Sequence, residues 1–238
     1  MRRPEAGIVI HRLVLLGLLL LAVSLAGPSA WGADEAPSPG QEPIEQALRD
    51  LQSEDAGVRA QAAEVLIRQG DASLIPRLDE LREVGSRAVR IAIKPVVDLL
   101  KHRANLTSAS PDTRRSAAAD LAMGGRAEAI PALKGAAATE DVWWVRYSME
   151  EAQHVLEVRT GTPAVQLEAV TKLGELRSLN SVSALQELVE AAQAPEATTE
   201  QHTLATAAAA SIAQIDSWSS WANALETLFR GISLSSIL

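Results

Sequence analysis

Apolar residues recur along this chain at helical spacing, in short runs punctuated by Gly, Pro and polar turns. Val58, Ala62, Val65 and Leu66 share one helix face, and Leu74, Ile75, Leu78 and Leu81 share another. Gln69-Gly70-Asp71 separates the two runs. Gly70 suits a helix C-cap, where a positive φ carries no Cβ penalty. The pattern predicts a helix, a tight turn and a second helix facing the first.

The unit recurs. A shift of 55 residues lays Arg59 on Arg114, Leu66 on Leu121, Gly70 on Gly125 and Ile75-Pro76 on Ile130-Pro131. A shift of 107 lays Ala62 on Ala169, Leu66 on Leu173 and Leu78 on Leu185. Further helical segments are predicted at about Ser86–His102 and Asp141–Val158, which makes about two helix pairs per match. Val89, Ile93, Val96 and Leu100 form a stripe in the first segment, with Pro95 predicted to kink or break it. Val142, Val145, Met149, Ala152 and Leu156 form the stripe of the second. Ser110-Pro111 and Thr162-Pro163 read as matching helix starts, an N-cap followed by a first-turn proline. Ala104–Pro111 and Ala191–Thr199 read as loops, and an alanine-rich helix, able to pack on two sides, is predicted from Thr199 to about Ile215. One helix pair cannot bury its own stripe, so repetition at this spacing predicts an all-α fold. The expected architecture is a HEAT-like α-solenoid of stacked antiparallel helix pairs.

Composition supports that class. Hydrophobic residues make up 47% but aromatics only 3%, so alanine and leucine supply the apolar content, as close helix packing favours. Four segments result: a signal over residues 1–30, a Pro-rich linker over 31–43, helical repeats over 44–216 and an amphipathic segment over 217–238. In the first, Arg2, Arg3 and Arg12 precede the apolar run Leu13–Val23, and small residues follow. This reads as an export signal cleaved between about Ala26 and Ala33, or as an uncleaved anchor. Without residues 1–30, which hold three arginines and one glutamate, the remainder is more acidic than the whole chain at −8. An acidic exported domain is a poor partner for nucleic acid or for an anionic membrane surface.

Catalytic chemistry finds no support. With no cysteine, thiol catalysis and cysteine-held metal are excluded. His11, His102, His154 and His202 show no ligand spacing. Glu140-Asp141 and Glu150-Glu151 read as solvated helix faces, and Gly124-Gly125 lacks the flanks of a phosphate loop. Asn105-Leu106-Thr107 matches a glycosylation sequon. No catalytic, cofactor or metal site is expected, and the chain reads as no enzyme. The aromatic residues carry the remaining candidates. Trp143 and Trp144 either cover the edge of the solenoid or offer a partner an aromatic contact. Trp218, Trp221 and Arg230, set before a rising apolar slope, read as a membrane-interface flank, or their stripe packs on the last repeat.

Taken with the signal and repeats, two segments carry a family resemblance: Thr162-Pro163-Ala164-Val165-Gln166-Leu167-Glu168-Ala169-Val170 and Leu225-Glu226-Thr227-Leu228-Phe229-Arg230-Gly231-Ile232-Ser233-Leu234-Ser235-Ser236-Ile237-Leu238. The chain resembles the exported N-terminal region of the permease subunit of bacterial urea ABC transporters, a branch of the branched-chain amino acid permease family. The resemblance implies that the segment from Leu228 leads into the first membrane span and that the chain stops there. Import of urea, or of a related small amide, then belongs to the parent protein. Its implied partners are a second permease subunit, ATPase subunits and a substrate-binding protein, with the membrane at the C-terminal end. The implied location is periplasmic, attached to the bacterial inner membrane. A free-standing periplasmic HEAT-repeat interaction module is the alternative, free in the periplasm. A helical-repeat enzyme of the bilin lyase type needs only a repeat match, and no residue here supplies its site.

Overall fold

The computed structural model describes residues 42–235, with side chains described to residue 220. The segment expected as a signal, and the linker up to Gln41, lie outside the described residues. Among the described residues every regular element is helical. The α-helices are α1 Glu42–Asp50, α2 Ala56–Gln69, α3 Ile75–Val84, α4 Arg87–Asn105 and α5 Pro111–Gly124. They continue with α6 Ile130–Thr139, α7 Trp143–Thr160, α8 Pro163–Leu176, α9 Val182–Ala191 and α10 Thr199–Ser235. Single 3-10 turns at Ala72–Leu74, Ala127–Ala129 and Leu179–Ser181 precede α3, α6 and α9.

These elements form one unit three times over. A 14-residue helix, a 3-10 turn and a 10-residue helix lead into a longer third helix. The shifts of 55 and 107 carry both ends of α2 onto α5 and α8, and both ends of α3 onto α6 and α9. Each period therefore holds three α-helices, where the spacing predicts four. The difference arises because the third helices, at 19 and 18 residues, each fill the space of a helix pair.

The third helix organises the packing. α4 packs against α2 and α3 of its own unit and then against α5 of the next. α7 does the same with α5, α6 and α8, and α10 packs against α8 and α9, so its alanine-rich half is covered by two helices. The buried stripe keeps one register throughout. Val89, Ile93, Val96 and Leu100 on α4 match Val145, Met149, Ala152 and Leu156 on α7, then Leu204, Ala208, Ser211 and Ile215 on α10. Spacings of four, three and four residues hold one face of a helix toward its neighbours. Opposite lie small residues, Ala62 and Ala63, then Ala117 and Ala118, then Ala169 and Val170, with Leu66, Leu121 and Leu173 one turn on. The second helices contribute Leu78, Leu133 and Leu185, all fully buried. In the third unit Gly174 stands where the others have Ile67 and Ala122, and a Cβ there would lie 2.8 Å from the Ser211 hydroxyl. That hydroxyl donates to the Val170 carbonyl at 3.0 Å, so α10 crosses α8 closely enough to satisfy a buried polar group.

Local expectations meet mixed outcomes. Ser110 caps α5 through the Thr113 amide at 3.3 Å, whereas the Thr162 hydroxyl makes no capping bond although Pro163 does open α8. Pro95 lies inside an unbroken α4. It stands on the exposed side, where the backbone bond that a proline removes can be replaced by water. Gly70 ends α2 at φ −76°, not in the left-handed region. Glycine is needed there for another reason: a Cβ would lie 2.4 Å from the Leu66 carbonyl oxygen. The left-handed cap does appear at the matching positions, as Gly125 with φ 66° and as Arg177 with φ 55°. α10 continues to Ser235 instead of ending near Ile215. Its sequence holds no proline, and the four-three apolar spacing runs on through Trp218, Ala222, Leu225, Phe229 and Ile232.

Leu133→Ala should lower unfolding stability by about 2–5 kcal/mol, the usual cost of emptying a closed core site. Met123→Ala, at a position 74% exposed, should change it by no more than about 0.5 kcal/mol. Gly70→Ala should destabilise in spite of its ordinary φ. Urea unfolding of the full chain checks all three.

Candidate interaction surface

Trp143 and Trp144 are the first two residues of α7, so their directions depend on how that helix starts. Val142 precedes them in extended conformation without a side-chain cap of its own. Glu140 fixes Val142 from the link before the helix. Its Oε1 takes the Val142 amide at 2.9 Å. The same carboxylate receives the Arg114 guanidinium through two bonds, Nε to Oε2 at 2.6 Å and Nη2 to Oε1 at 2.8 Å. Arg146 donates to the Glu140 carbonyl at 3.3 Å. Arg114, the fourth residue of α5, also donates to the Ser108 carbonyl at 2.8 Å. Arg59 makes the equivalent bonds to Ser53 and Glu54 in the first unit, but without a carboxylate.

Glu140 therefore corrects an expectation. It is not on a solvated helix face but in the link between α6 and α7, with the residue only 8% exposed. Its neighbour Asp141 is exposed. The Arg114 guanidinium, helped by the Val142 amide, holds the Glu140 carboxyl below the usual glutamate range. Glu150 and Glu151 are both half-buried. Glu151 accepts from the Ser178 hydroxyl and from the Asn180 amide.

The two indoles part company. Trp144 is half-buried against the first core, with the Arg115 guanidinium 5.9 Å above its ring. Trp143 is 70% exposed. One turn on is Tyr147, the one tyrosine of the chain, its phenol pushed up first by burial and then by the negative charge of Glu151. Arg115, Trp143, Trp144, Tyr147, Glu151 and Asn180 line a groove of about 370 Å³. Three of these residues are aromatic and one is a carboxylate. That combination suits contact with a protein segment, since Trp and Tyr offer large rigid area and few rotamers.

Trp218 is not part of this groove. It lies on α10, 41% exposed, with the Arg177 guanidinium 4.0 Å over its ring. The side chains of Trp221 and Arg230 lie outside the described residues, although the backbone at both positions is helical. Among the described residues no group of His, Cys, Asp and Glu is arranged to hold a metal, and no helix is long and apolar enough to cross a membrane. His102 pairs with Asp120 at 3.4 Å and His154 with Glu157 at 2.7 Å. The chain matches no protein-family model and no curated protein.

Sequence reasoning misses Tyr147 and Arg115. Tyr147 has a usable signal in its place four residues after Trp143, on the same side of a helix. The Arg114–Glu140 pair, separated by 26 positions, has no local signal.

A carboxyl held below its ordinary value stabilises the fold fully above the unfolded glutamate value, and this is lost as pH falls through the folded one. Thermal melts from about pH 7 down to about pH 3 should show the wild type losing stability across that window. Glu140→Gln should be less stable at neutral pH and should show a shallower acid decline.

Proposed function

We propose that this chain is the exported helical-repeat part of a urea-type ABC transporter permease, and that it acts there as a HEAT-like protein-binding solenoid. One observation carries the reading. The segment resembling the permease, from Leu225 onward, is reached along α10, the same helix whose Leu204, Ala208 and Ile215 complete the core of the last unit. A continuous helix couples a partner bound on the repeats to whatever follows. The role in binding rests on Trp143, an indole left in solvent beside an aromatic groove. In this reading the occupant is another transporter component, with the substrate-binding protein the first to test. The chain itself performs no chemistry, and the import of urea belongs to the parent protein.

A free-standing periplasmic interaction module is the second reading. It rests on the same exposed Trp143 and needs no membrane part.

The test is a Trp143→Ala substitution in the parent permease, read by urea uptake and by co-purification of the transporter components. The expected result is an unchanged melting temperature, capture of the binding protein weakened by about tenfold or more, and slower uptake at low urea. Unchanged uptake and capture would remove the groove from transport. Binding of a periplasmic protein unrelated to the transporter, lost in the same variant, would favour the second reading.

A further inference from the structure

A second groove, of about 470 Å³, lies on the first unit between α3 and α4. Arg82, Arg87, Arg90 and Lys94 surround Ile91, which is 64% exposed, and Asp98 is the one carboxylate among its lining residues. Two of the cations are neutralised locally. Arg82 pairs with Asp79 at 3.1 Å, and Lys94 pairs with Asp98. The other two are not. Arg90 donates to the Gly85 carbonyl at 3.0 Å, a neutral acceptor, and Arg87 makes no hydrogen bond or ion pair with the described residues. Two uncompensated guanidinium groups beside an exposed isoleucine stand out in a chain of net charge −8.

The repeat does not require them. Arg87, Arg90, Ile91 and Lys94 correspond to Trp143, Arg146, Tyr147 and Glu150 on α7, and to His202, Ala205, Thr206 and Ala209 on α10. The buried stripe of the same helices stays largely apolar across all three units, while this outer register changes each time. Packing therefore sets the inner face and leaves the outer one free for recognition.

We propose that the α3–α4 groove binds an acidic segment of a protein partner, with an apolar side chain of that segment seated on Ile91. Arginine presents a planar fork that fits carboxylates, and the isoleucine gives the segment a register. A protein segment is favoured over a lipid or nucleic acid surface. Either polyanion carries a dense row of charges and would meet only two free cations on a chain that is negative as a whole, whereas a short segment can set a few carboxylates against those two and place one apolar side chain on Ile91. This groove is separate from the one bearing Trp143, and the proposal does not depend on the transporter reading.

The test uses the purified full chain and three labelled peptides, followed by fluorescence anisotropy. One is rich in Glu and Asp with Leu at every fourth position; the second replaces each Leu by Ser; the third replaces each acid by Lys. The first should bind most tightly and weaken with salt, and the third should not bind. Arg87→Glu combined with Arg90→Glu should weaken the first peptide by about tenfold or more, with Arg87→Gln and Arg90→Gln showing a smaller loss. Ile91→Ser should abolish the advantage of the first peptide over the second. All these positions are exposed, and unchanged melting curves would verify intact folding. The proposal is overturned if the first peptide fails to bind or binds the variants equally. It is also overturned if phosphatidylglycerol vesicles hold the chain more tightly than the peptide and lose it with the same substitutions.

Discussion

The third helix of each unit must be covered on more than one side, and the rest of the molecule follows from that requirement. A helix with Val, Ile and Leu at every turn cannot stand in water on one partner alone. α7 shows this directly. Val145, Met149, Ala152 and Leu156 enter one core with the helices before it, while Val155 and Val158 enter a second core with α8. A single helix thus serves two cores, and neither would close without it. The short second helices each bury one leucine fully at a common register, with smaller or partly buried apolar residues beside it, and pack against the third helix. The order of packing follows the order of the chain, which keeps the folding contacts short in sequence.

Much of this architecture is legible in the amino-acid sequence, because it is written in periodicity. The shifts of 55 and 107 come from matching apolar residues with their glycines and prolines, and they coincide with the helix ends. The stripes of α4 and α7 are readable for the same reason. The number of helices per period is less legible, since an apolar stripe of 18 or 19 residues fits one long helix or two short ones with a turn. Pro95 argues for the second choice, and its position on the wet side overrules it. Gly70 shows another limit: a glycine at a helix end can be there for φ or for space, and the sequence reads the same. The interaction surface is only half readable. The indoles announce themselves, but the pair that aims them, Arg114 with Glu140, is a contact between distant residues.

That pair links fold to surface. The link from α6 to α7 is one residue longer than the link from α3 to α4, and the buried stripe shifts by one position to compensate. Glu140 lies in this longer link, where its carboxylate holds the amide of Val142, the residue before α7. Arg114 makes the burial tolerable by supplying a matched fork. Trp143 and Trp144 take the same exposed and half-buried positions as Arg87 and Ala88 at the start of α4, and the inserted residue with its matched charge anchors the link from which they project. A surface made in this way is tied to the packing of the first helix of the second unit against the link that leads into its third.

The last unit differs where a successor would dock. α4 and α7 turn Leu99 and Val155 toward the following helix, and the matching position on α10 is Gln214, which is exposed. Val158 is likewise matched by exposed Ser217. Where the earlier units place apolar residues on this face, the third unit places polar ones, a pattern that capping repeats share. The inner stripe behaves in the opposite manner, for its apolar spacing continues along α10 past Ile215 to Trp218 and beyond. The two faces of α10 thus differ in kind: the outward one turns polar at Gln214 and Ser217, while the inward one keeps its apolar spacing in the sequence past Ile215.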